Sequence, residues 1–479
     1  MQTLRRCLTL SVFLSFTSLV NLQAQTVAAY QTTPDLKQAL QPEHKLSFAA
    51  SPAGSTVISV DDSQRFQTMD GFGAAMTDSS AWLLQDQLTA SQRKEVMRKL
   101  FDPRQGHGIG VSFLRVPLGA SDLARNHYSY DDMPAGQRDP ELKHFSIDHD
   151  RAYILPAMLE ALKLDPSISV MVTPWSPPGW MKTKDTMNGG QLLVEDSQVF
   201  ANYLADSVSA YDKAGVLVRY LSLQNEPLYE TKDYPGTLMH ADQETKLIAS
   251  FVGPALQKAG LKTSILAYDH NWDHPEYPVE VLSDPDAAQY TAGSAFHCYG
   301  GNVSAQGPVH ERFPNRGIWM TECSGGTWQK GNLLADTEKL VIESSRQWAK
   351  SVVLWGLALD EKNGPNTGGC ATCRGFVTID RSTAPHKVTY TEDYYAIGHA
   401  SEFVHPGAVR IDSTDLGPQS LETVAFQNTD GSIALLVLNN ADQPADFSVS
   451  WHGKSFQTSL SSGSVATYRW LAPKPTAAQ

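Results

Sequence analysis

Two glutamates, each directly after a strand-like stretch, are the residues whose type and placement could do chemistry. Glu226 follows the stretch Tyr220–Gln224 after one asparagine and precedes Pro227, and Glu322 ends the stretch Gly317–Glu322. A carboxylate in such a position stands at the C-terminal tip of a strand, where a (β/α)8 barrel keeps its catalytic groups. Paired carboxylates are what cleavage of a glycosidic bond requires. We therefore predict that Glu226 and Glu322 form a catalytic pair.

A structural role, as an ion pair or a helix cap, is the alternative for each glutamate taken alone. The tripeptide Asn225-Glu226-Pro227 should occur by chance in roughly one chain in twenty of this length, so it is a weak motif. The two acids stand 96 residues apart (322 − 226), about three strand-helix units. This spacing, together with aromatic and amide residues at the ends of neighbouring strand candidates, favours catalysis.

Aromatic and polar residues at the ends of other strand candidates are typical of the walls of a sugar site. Aromatic rings cover the apolar faces of a pyranose, and carboxylates and amides bind its hydroxyls. Any one of these aromatic residues, taken singly, is more often part of the core. The residues concerned are Asp122, Trp175, His297, Tyr299 and Trp355.

Strand candidates and helical patterns alternate along most of the chain. Examples of the helical patterns are Thr89–Leu100, Ile154–Leu164 and Leu333–Gln347. Eight strands with intervening helices over about 300 residues predict an α/β fold, a (β/α)8 TIM barrel, rather than a doubly wound sheet. The strand candidates are Gln67–Ala75, Val111–Val116, Ser169–Trp175, Tyr220–Glu226, Thr263–Tyr268, Ala292–Tyr299, Gly317–Glu322 and Ser351–Leu359.

The pattern changes near Gly398. Short alternating segments, with turns at Asp430-Gly431 and Ser461–Gly463, then predict an attached all-β sandwich. Val57–Phe66 also has a strand pattern, so we predict that this N-terminal strand joins the sandwich. The predicted divisions are 1–24 for a signal peptide, 25–54 for an N-terminal arm, 55–66 for the joining strand, 67–397 for the barrel, 398–471 for the sandwich and 472–479 for a flexible tail.

The composition is that of an ordinary globular protein with an acidic balance. The 479 residues are 41% hydrophobic and 19% charged, with a formal net charge of -13. Without clustered Lys or Arg, this charge argues against a nucleic-acid or anionic-membrane partner, whereas a neutral glycan fits. Arg5 and Arg6 precede the apolar run Leu8–Val20, and Ala24 offers a cleavage site, so we predict a signal peptide and a secreted or periplasmic protein. No later run is long and apolar enough to span a bilayer, and the oligomeric state stays open.

Four cysteines remain after the predicted cleavage. Cys370-Ala-Thr-Cys373 could bind zinc, but a tetrahedral site needs a second pair at similar spacing, and Cys298 and Cys323 stand far apart. In an oxidising compartment a short loop disulfide between Cys370 and Cys373 is favoured. The other two are either bridged between neighbouring strands or packed as small apolar residues.

Six motifs follow one another along the chain: Asp70-Gly-Phe-Gly73, Leu114-Arg-Val-Pro117, Thr173-Pro-Trp-Ser-Pro-Pro-Gly-Trp180, Gln224-Asn-Glu-Pro227, Trp319-Met-Thr-Glu-Cys323 and Leu354-Trp-Gly-Leu-Ala-Leu359. In type and order they resemble glycoside hydrolase family 30, which includes glucosylceramidases and microbial endo-β-1,6-glucanases. The resemblance spans about Val57 to Arg469. It implies a retaining β-glycosidase with a barrel and a β-sandwich built from both ends of the chain.

Carried over motif by motif, the resemblance implies roles for the candidate residues. Glu226 takes the position of the general acid/base and Glu322 that of the nucleophile, with carboxyl groups about 5–5.5 Å apart. The acid must be protonated near neutral pH, which calls for a raised pKa, whereas the nucleophile must stay ionised. Arg115, if it reaches Glu322, would favour that charge, and Asn225 matches an amide that binds the sugar 2-hydroxyl. The pocket for a nonreducing glucose matches Asp122, Trp175, His297, Tyr299 and Trp355.

Neither a metal nor a cofactor is expected. His270 and His274 stand four apart in the segment Asp269–His274, yet after a strand of this family that segment is more simply a loop lining the cleft. The stretch Gly106–Gly110 resembles part of a nucleotide-binding loop, but it precedes its strand instead of following it.

Details of the resemblance bear on the substrate. Gly356 follows Trp355 where animal glucosylceramidases have Asn, and Leu123 follows Asp122 where they have an aromatic residue. The loop Asn363–Arg374 is similar to the microbial branch. Hydrolysis of β-1,6-linked glucan is therefore expected, with a glucosylceramidase or an exo-acting β-glucosidase or β-xylosidase as alternatives within the family. A noncatalytic glycan-binding protein is the alternative from another class.

Overall fold

The computed structural model describes residues 25–50 and 54–472. Within these residues, eight parallel strands pair in chain order and close into a barrel. Their side chains are almost all buried, as in other parallel sheets that helices cover. This confirms the predicted (β/α)8 barrel. The barrel strands are Gly71–Ala75, Phe113–Pro117, Ser169–Thr173, Tyr220–Leu221, Ser264–Asn271, Thr291–His297, Gly317–Glu322 and Ala349–Leu354.

Helices lie between the barrel strands. One begins with a capping box, in which the Thr89 hydroxyl accepts from the amide of Gln92 and the Gln92 side chain accepts from the amide of Thr89. A π-helical turn, Ile248–Val252, joins two short helices. The α-helices are Asp78–Asp86, Ala90–Phe101, Asp148–Ala152, Ile154–Leu164, Ser197–Lys213, Ala241–Leu247, Gly253–Lys258, Glu276–Ser283, Pro285–Ala288, Gln306–Arg312, Leu333–Arg346 and Glu392–Ser401, and the 3-10 turns are Gly179–Met181, Val194–Asp196 and Val303–Ala305.

Large side chains fill the inside of the barrel. Phe113, Met171 and Trp319 belong to a buried cluster contributed by seven strands. Asp70, directly before the first strand, accepts from the Tyr220 hydroxyl at 2.7 Å and from the Trp319 indole at 2.8 Å. This anchor lies at the N-terminal ends of the strands. The barrel is thus a packed core, which leaves its C-terminal end for a site.

A ten-stranded sheet forms the second domain and takes strands from both ends of the chain, as predicted. The segment 25–54, predicted as an arm, contributes a further strand, Thr26–Thr32, which pairs antiparallel with Val465–Leu471. In spatial order the strands are Gln41–Pro42, Thr26–Thr32, Val465–Leu471, Ser432–Asn439, Leu421–Gln427, Val409–Ser413, Val57–Thr68, Ala445–Trp451 and Lys454–Leu460, with Leu46–Ser47 beside Thr26–Thr32.

His399 connects the two domains. It lies in the helix Glu392–Ser401, and its ring nitrogens contact the hydroxyls of Thr32 at 2.8 Å and Thr467 at 2.9 Å. Burial lowers the pKa of His399 to about 3, so the neutral ring donates to one hydroxyl and accepts from the other. The predicted division between residues 397 and 398 falls inside this helix.

The observed strands differ from the predicted ones mainly at their ends. The fourth barrel strand, Tyr220–Leu221, is much shorter than predicted, because the chain from Ser222 onward leaves regular pairing. The eighth strand ends at Leu354. Beyond it, Ala358–Asp360 pairs with Val377–Asp380 in a three-stranded sheet completed by Lys387–Tyr390.

Two predictions fall largely outside the described residues. These are the signal peptide at 1–24 and the tail at 472–479, of which the structure describes only the first residue. Across residues 25–50 and 54–472, no helix combines the length and the apolar character needed to cross a membrane.

Candidate active site

The C-terminal tips of the barrel strands bring Glu226 and Glu322 together. One carboxylate oxygen of Glu226, one of Glu322 and one ring nitrogen of His297 all lie within 4.8 Å of one another. The two glutamates line a cavity of about 510 Å³, together with five of the other residues singled out in the sequence. Those five are Asp122, Trp175, Asn225, Tyr299 and Trp355.

Unusual backbone conformations aim the groups at this end of the barrel. Glu226 has a φ of 46°, and Tyr268 and Asp269 have φ values of 80° and 56°. The register of the fifth and sixth strands shifts beside these residues, as at a β-bulge. The amide of Glu226 donates to the Asp269 carbonyl at 3.0 Å, which fixes the two segments to each other. Such left-handed residues are costly and cluster at functional sites.

Arg115 lies beneath the pair and is fully buried. One guanidinium nitrogen donates to Glu322 at 2.5 Å, and another donates to Asn225 at 2.7 Å and to Asp269 at 2.8 Å. The guanidinium therefore reaches the nucleophile candidate, as the sequence analysis required. It also fixes the side-chain oxygen of Asn225, which leaves the amide NH2 to donate elsewhere.

His297 joins the acid/base candidate to Asp269. Its Nδ1 lies 3.1 Å from Glu226 and its Nε2 lies 3.1 Å from Asp269. Asp269 also accepts from the hydroxyls of Ser222 and Thr321, at 2.6 Å and 2.7 Å. Sequence reasoning placed Asp269 only in a loop lining the cleft and missed this role. Its position directly after the predicted strand Thr263–Tyr268 was the signal that could have found it.

The pKa values within the pair have an unexpected order. Burial acts to raise the pKa of Glu226, but the hydrogen bond and charge of His297 outweigh it and lower that pKa. Burial dominates at Glu322 and, with the charges of Glu226 and Asp269, raises its pKa against the opposing charges of His297 and Arg115. This is opposite to the order that an acid at Glu226 and an ionised nucleophile at Glu322 require. The two groups release their protons as a pair, so this order describes the pair as it stands without a partner at the glycosidic oxygen.

His297 should make stability depend on pH. Contacts with Glu322, Asp269 and Glu226 overcome burial and raise the pKa of His297 to about 9. A raised pKa adds stability that is complete below the unfolded value of about 6.5 and is lost as the pH rises through 9. Replacing His297 by Gln is therefore expected to lower the unfolding free energy by about 3 kcal/mol at pH 6 and by much less above pH 9.

The measurement is the difference in unfolding free energy between the two proteins across that range. A difference is needed because burial lowers the pKa of Lys182 to about 7, which adds stability as the pH rises. His399→Gln is the matched control, since that buried ring is already neutral at pH 6. A His297→Gln effect as independent of pH as the control's would contradict a charged His297.

The same atoms are close enough to be considered for a metal. Glu226, His297 and Glu322 are the one cluster of this kind within the described residues. The raised pKa of His297 keeps its ring protonated at neutral pH, so the ring lacks the free lone pair that a metal needs. His274, considered in the sequence, instead contacts Glu276 at 2.9 Å. The arrangement favours proton transfer over metal binding.

One end of the cavity is closed by buried aromatic rings around Asp122. The rings of Trp175 and Trp355 stack with centroids 4.9 Å apart, and Arg115 lies 4.9 Å from the centre of the Trp175 ring. Burial, reinforced by the charge of Glu322, raises the pKa of Asp122 to about 7. An aromatic wall beside a carboxyl group fits a pyranose ring and its hydroxyls.

Two disulfides hold the loops around this end. Cys298–Cys323 joins the residues after the sixth and seventh strands, which resolves the alternatives left open by the sequence. Cys370–Cys373 forms the predicted loop disulfide, and the amide of Cys370 donates to Asp122 at 3.3 Å. A Cβ on Gly369 would lie 2.0 Å from the Cβ of Asp122, so only glycine lets this loop approach so closely.

Loss of the Cys370–Cys373 disulfide should weaken substrate binding more than turnover. The pair of Cys→Ser replacements frees the loop that carries the amide against Asp122, so we expect KM to rise several-fold with kcat nearly unchanged. Stability should fall by about 2 kcal/mol, because the cross-link closes a very short loop. Steady-state kinetics and thermal unfolding check both effects.

The second disulfide is the matched comparison for that experiment. Cys298–Cys323 spans 25 residues, so its removal should cost about 3.5 kcal/mol. It should also lower kcat, because Cys323 follows Glu322 and Cys298 follows His297. Equal losses of kcat in the two double variants would contradict a binding role for the Cys370–Cys373 loop.

Several residues at the mouth of the cavity were not found from the sequence. Tyr229, Tyr234 and Trp328 line it, as do His270 and Asn271. They lie in loops without strand patterns, where no periodicity marks the direction of a side chain. The aromatic residues within a few positions of Glu226 and Glu322 were the available signal.

A closed (β/α)8 barrel with a close carboxylate pair at its strand tips, joined to a β-sandwich, is the architecture of a retaining glycoside hydrolase. The model of the glycosyl hydrolase family 30 TIM-barrel domain matches residues 69–404, and that of the family 30 beta sandwich domain matches residues 407–468. The chain belongs to glycoside hydrolase family 30, a family of retaining β-glycosidases.

Individual relatives cover nearly the whole chain. It is 33% identical over 470 residues to an endo-1,6-β-D-glucanase of Aspergillus fumigatus, covering 90% of this chain and 92% of that protein. It is 28% identical over 464 residues to the lysosomal acid glucosylceramidase of Mus musculus, covering 89% and 86%. The solved structure of an endo-β1,6-glucanase superposes with a TM-score of 0.86 at 32% identity, covering 93% of this chain and 99% of that one.

Proposed function

We propose that the protein is an exported endo-β-1,6-glucanase that cleaves its substrate by double displacement with retention. The observation that carries the mechanism is the approach of one oxygen each from Glu226 and Glu322 to within 4.8 Å, since inverting enzymes need about 6.5–9.5 Å between carboxyl groups. The choice of linkage rests on the similarity to endo-1,6-β-glucanases at about one third identity over most of the chain.

In the first step, a carboxylate oxygen of Glu322 attacks the anomeric carbon while the bond to the leaving oxygen breaks. Arg115 at 2.5 Å and the Tyr299 hydroxyl at 3.0 Å hold the two oxygens of Glu322 and orient one for attack. Glu226 gives its proton to the leaving oxygen. The product of this step is a glucosyl ester on Glu322 and a free sugar hydroxyl.

Substrate binding reverses the order of pKa values in the pair. A glycosidic oxygen placed against Glu226 accepts a hydrogen bond only from the protonated acid, so binding favours the proton on Glu226. The hydrogen bonds from Arg115 and Tyr299 then stabilise the negative charge left on Glu322. In the second step Glu226, now a carboxylate, takes a proton from water, and the water oxygen attacks the anomeric carbon and releases Glu322.

The closed end around Asp122 receives the glucosyl unit that is transferred. Trp175 and Trp355 supply its apolar wall, and Asp122 accepts from its hydroxyls. Asn225, whose oxygen is fixed by Arg115 at 2.7 Å, offers its NH2 group to the 2-hydroxyl. That contact strengthens as positive charge develops on the sugar in the transition state.

Export is the second part of the proposal. Its support is the apolar N-terminal run at 8–20 and the two disulfides, since such cross-links persist in oxidising compartments. Fractionation of cells that produce the whole chain tests it. Recovery of an uncleaved protein in the cytoplasm would contradict it.

A glucosylceramidase is the second candidate, favoured by the similarity to the mouse lysosomal enzyme. A noncatalytic glycan-binding protein is a third class of explanation, but the complete carboxylate network weighs against it. These candidates differ in what they release from a soluble β-1,6-glucan.

The deciding measurement is a time course of products from linear β-1,6-glucan, sized by chromatography, with the anomer of the first product followed by proton NMR. We expect a ladder of oligosaccharides that appear first as the β-anomer. Glucose as the sole early product would instead establish exo action. No product from the glucan but release of glucose from glucosylceramide would establish the second candidate.

A further inference from the structure

The exposed aromatic side chains of the described residues all lie at one place. Large hydrophobic side chains are strongly exposed at only eight positions of the described chain, and three of these are aromatic. Tyr229 is 51% exposed, Tyr299 45% and Trp328 51%. All three line the cavity that contains Glu226 and Glu322. Exposed aromatic surface confined to the mouth of one cavity points to a ligand that extends out of it.

Tyr229 lies on the side from which the leaving group departs. Its amide donates to the carbonyl of Glu226 at 2.9 Å, so one tight turn joins the two residues. The general acid must face the leaving oxygen, and a residue one turn away lies beside the sugar attached to that oxygen. The opposite, closed end is occupied by Asp122, Trp175 and Trp355, which are all buried.

Trp328 is held in place although its ring is exposed. A Cβ on Gly326 would lie 2.0 Å from the Trp328 ring, so the ring lies directly over the Gly326 backbone. The amide of Gln329 donates to the Gly326 carbonyl at 3.0 Å, and the amide of Thr327 donates to the Thr372 carbonyl at 3.0 Å. The tryptophan therefore stands on a turn fixed to the Cys370–Cys373 loop. A ring held in advance loses little entropy on binding.

We propose that Tyr229 and Trp328 form an acceptor platform, on which the glucose units beyond the cleaved bond stack. This deepens the proposed function and rests on it. A flexible β-1,6-linked chain has few rigid features, so flat aromatic surfaces at the mouth supply contact without demanding one geometry. The buried end selects the transferred glucose, and the platform selects a chain over a small aglycone.

The test compares two substrates that share the transferred glucose. β-Glucosyl fluoride fills only the closed end, because its leaving group is one atom, whereas soluble β-1,6-glucan also reaches the platform. For Trp328→Ala and Tyr229→Ala we expect kcat/KM on the glucan to fall about tenfold, mostly through KM. On the fluoride it should stay within about twofold. Trp328→Phe, which keeps a ring, should recover most of the activity on the glucan.

Two further variants make the result specific. Leu217, 71% exposed and absent from the cavity lining, supplies the control Leu217→Ala, which should change neither substrate. Gly326→Ala displaces the ring without removing it and should behave like Trp328→Ala. Equal losses on both substrates, or no loss on the glucan, would overturn the platform.

Failure of the proposed function is distinguishable. If the wild type hydrolyses the fluoride but not β-1,6-glucan, the proposed linkage is wrong, and the same ratio measured on the β-glucan that it does cleave decides the platform. If the wild type cleaves no β-glucan, both proposals are overturned.

Discussion

Replacing Glu322 by Ala is expected to lower turnover of a β-glucoside by about 10⁴-fold or more, because no other group can attack the anomeric carbon. The space left by the side chain should admit azide. Azide attacking from that face displaces the leaving group once and gives the α-glucosyl azide. The measurement is the rate with and without azide, with the anomer identified by NMR.

This experiment also tests the assignment of roles, which the pKa values of the pair leave in tension. Since the pKa of Glu226 is lowered and that of Glu322 is raised, an exchange of roles is the alternative. In that case Glu322→Ala would give the β-glucosyl azide. Glu322→Gln is the isosteric control, which should keep affinity for the glucan while turnover is lost, and retained turnover in it would remove Glu322 from the chemistry altogether.

The parts of the fold that follow simple periodicity were accessible from the sequence. Parallel barrel strands are buried on both sides and carry chemistry at one end, so strand patterns ending in Glu322 and His297 located both the barrel and its active end. The strand Thr26–Thr32 was missed because its Thr and Gln residues resemble a linker. It becomes a strand through pairing with Val465–Leu471, more than 400 residues away in the chain.

The electrostatic core of the site was harder to predict, since it depends on side chains from distant strands meeting in three dimensions. Asp269 joins Arg115 and His297 only because a bulge and two left-handed residues turn it inward. No sequence pattern reports such a turn at a non-glycine residue. The unexpected pKa order has the same origin, because the contact between His297 and Glu226 could not be inferred from either strand alone.

The meeting of these side chains has a chemical consequence. Arg115 and His297 place two positive charges beside Asp269, Glu226 and Glu322, so the cluster holds charges of both signs without metal ligation. A single proton added to the carboxylate pair balances it. That proton is the one transferred in the first step, and His297 and Arg115 determine which glutamate holds it before the substrate binds.

Replacing Glu226 by Ala should separate proton donation from nucleophilic attack. On glucan, whose leaving oxygen needs a proton, kcat/KM is expected to fall about 10³-fold. On 2,4-dinitrophenyl β-glucoside, whose leaving group needs none, the first step should be nearly unaffected. Hydrolysis of the glucosyl ester on Glu322 should then be slow, because no base activates water, and a burst of dinitrophenol should precede a slow steady state.

Azide again identifies the role, with the opposite outcome. It should attack the glucosyl ester from the face that water uses, speed the steady state and give the β-glucosyl azide. The control is His297→Gln, which removes the contact at 3.1 Å to Glu226 but keeps the acid. That variant should show a shifted pH profile on glucan and no response to azide. An equal loss on glucan and on the dinitrophenyl glucoside in Glu226→Ala would show that Glu226 serves binding or folding rather than proton transfer.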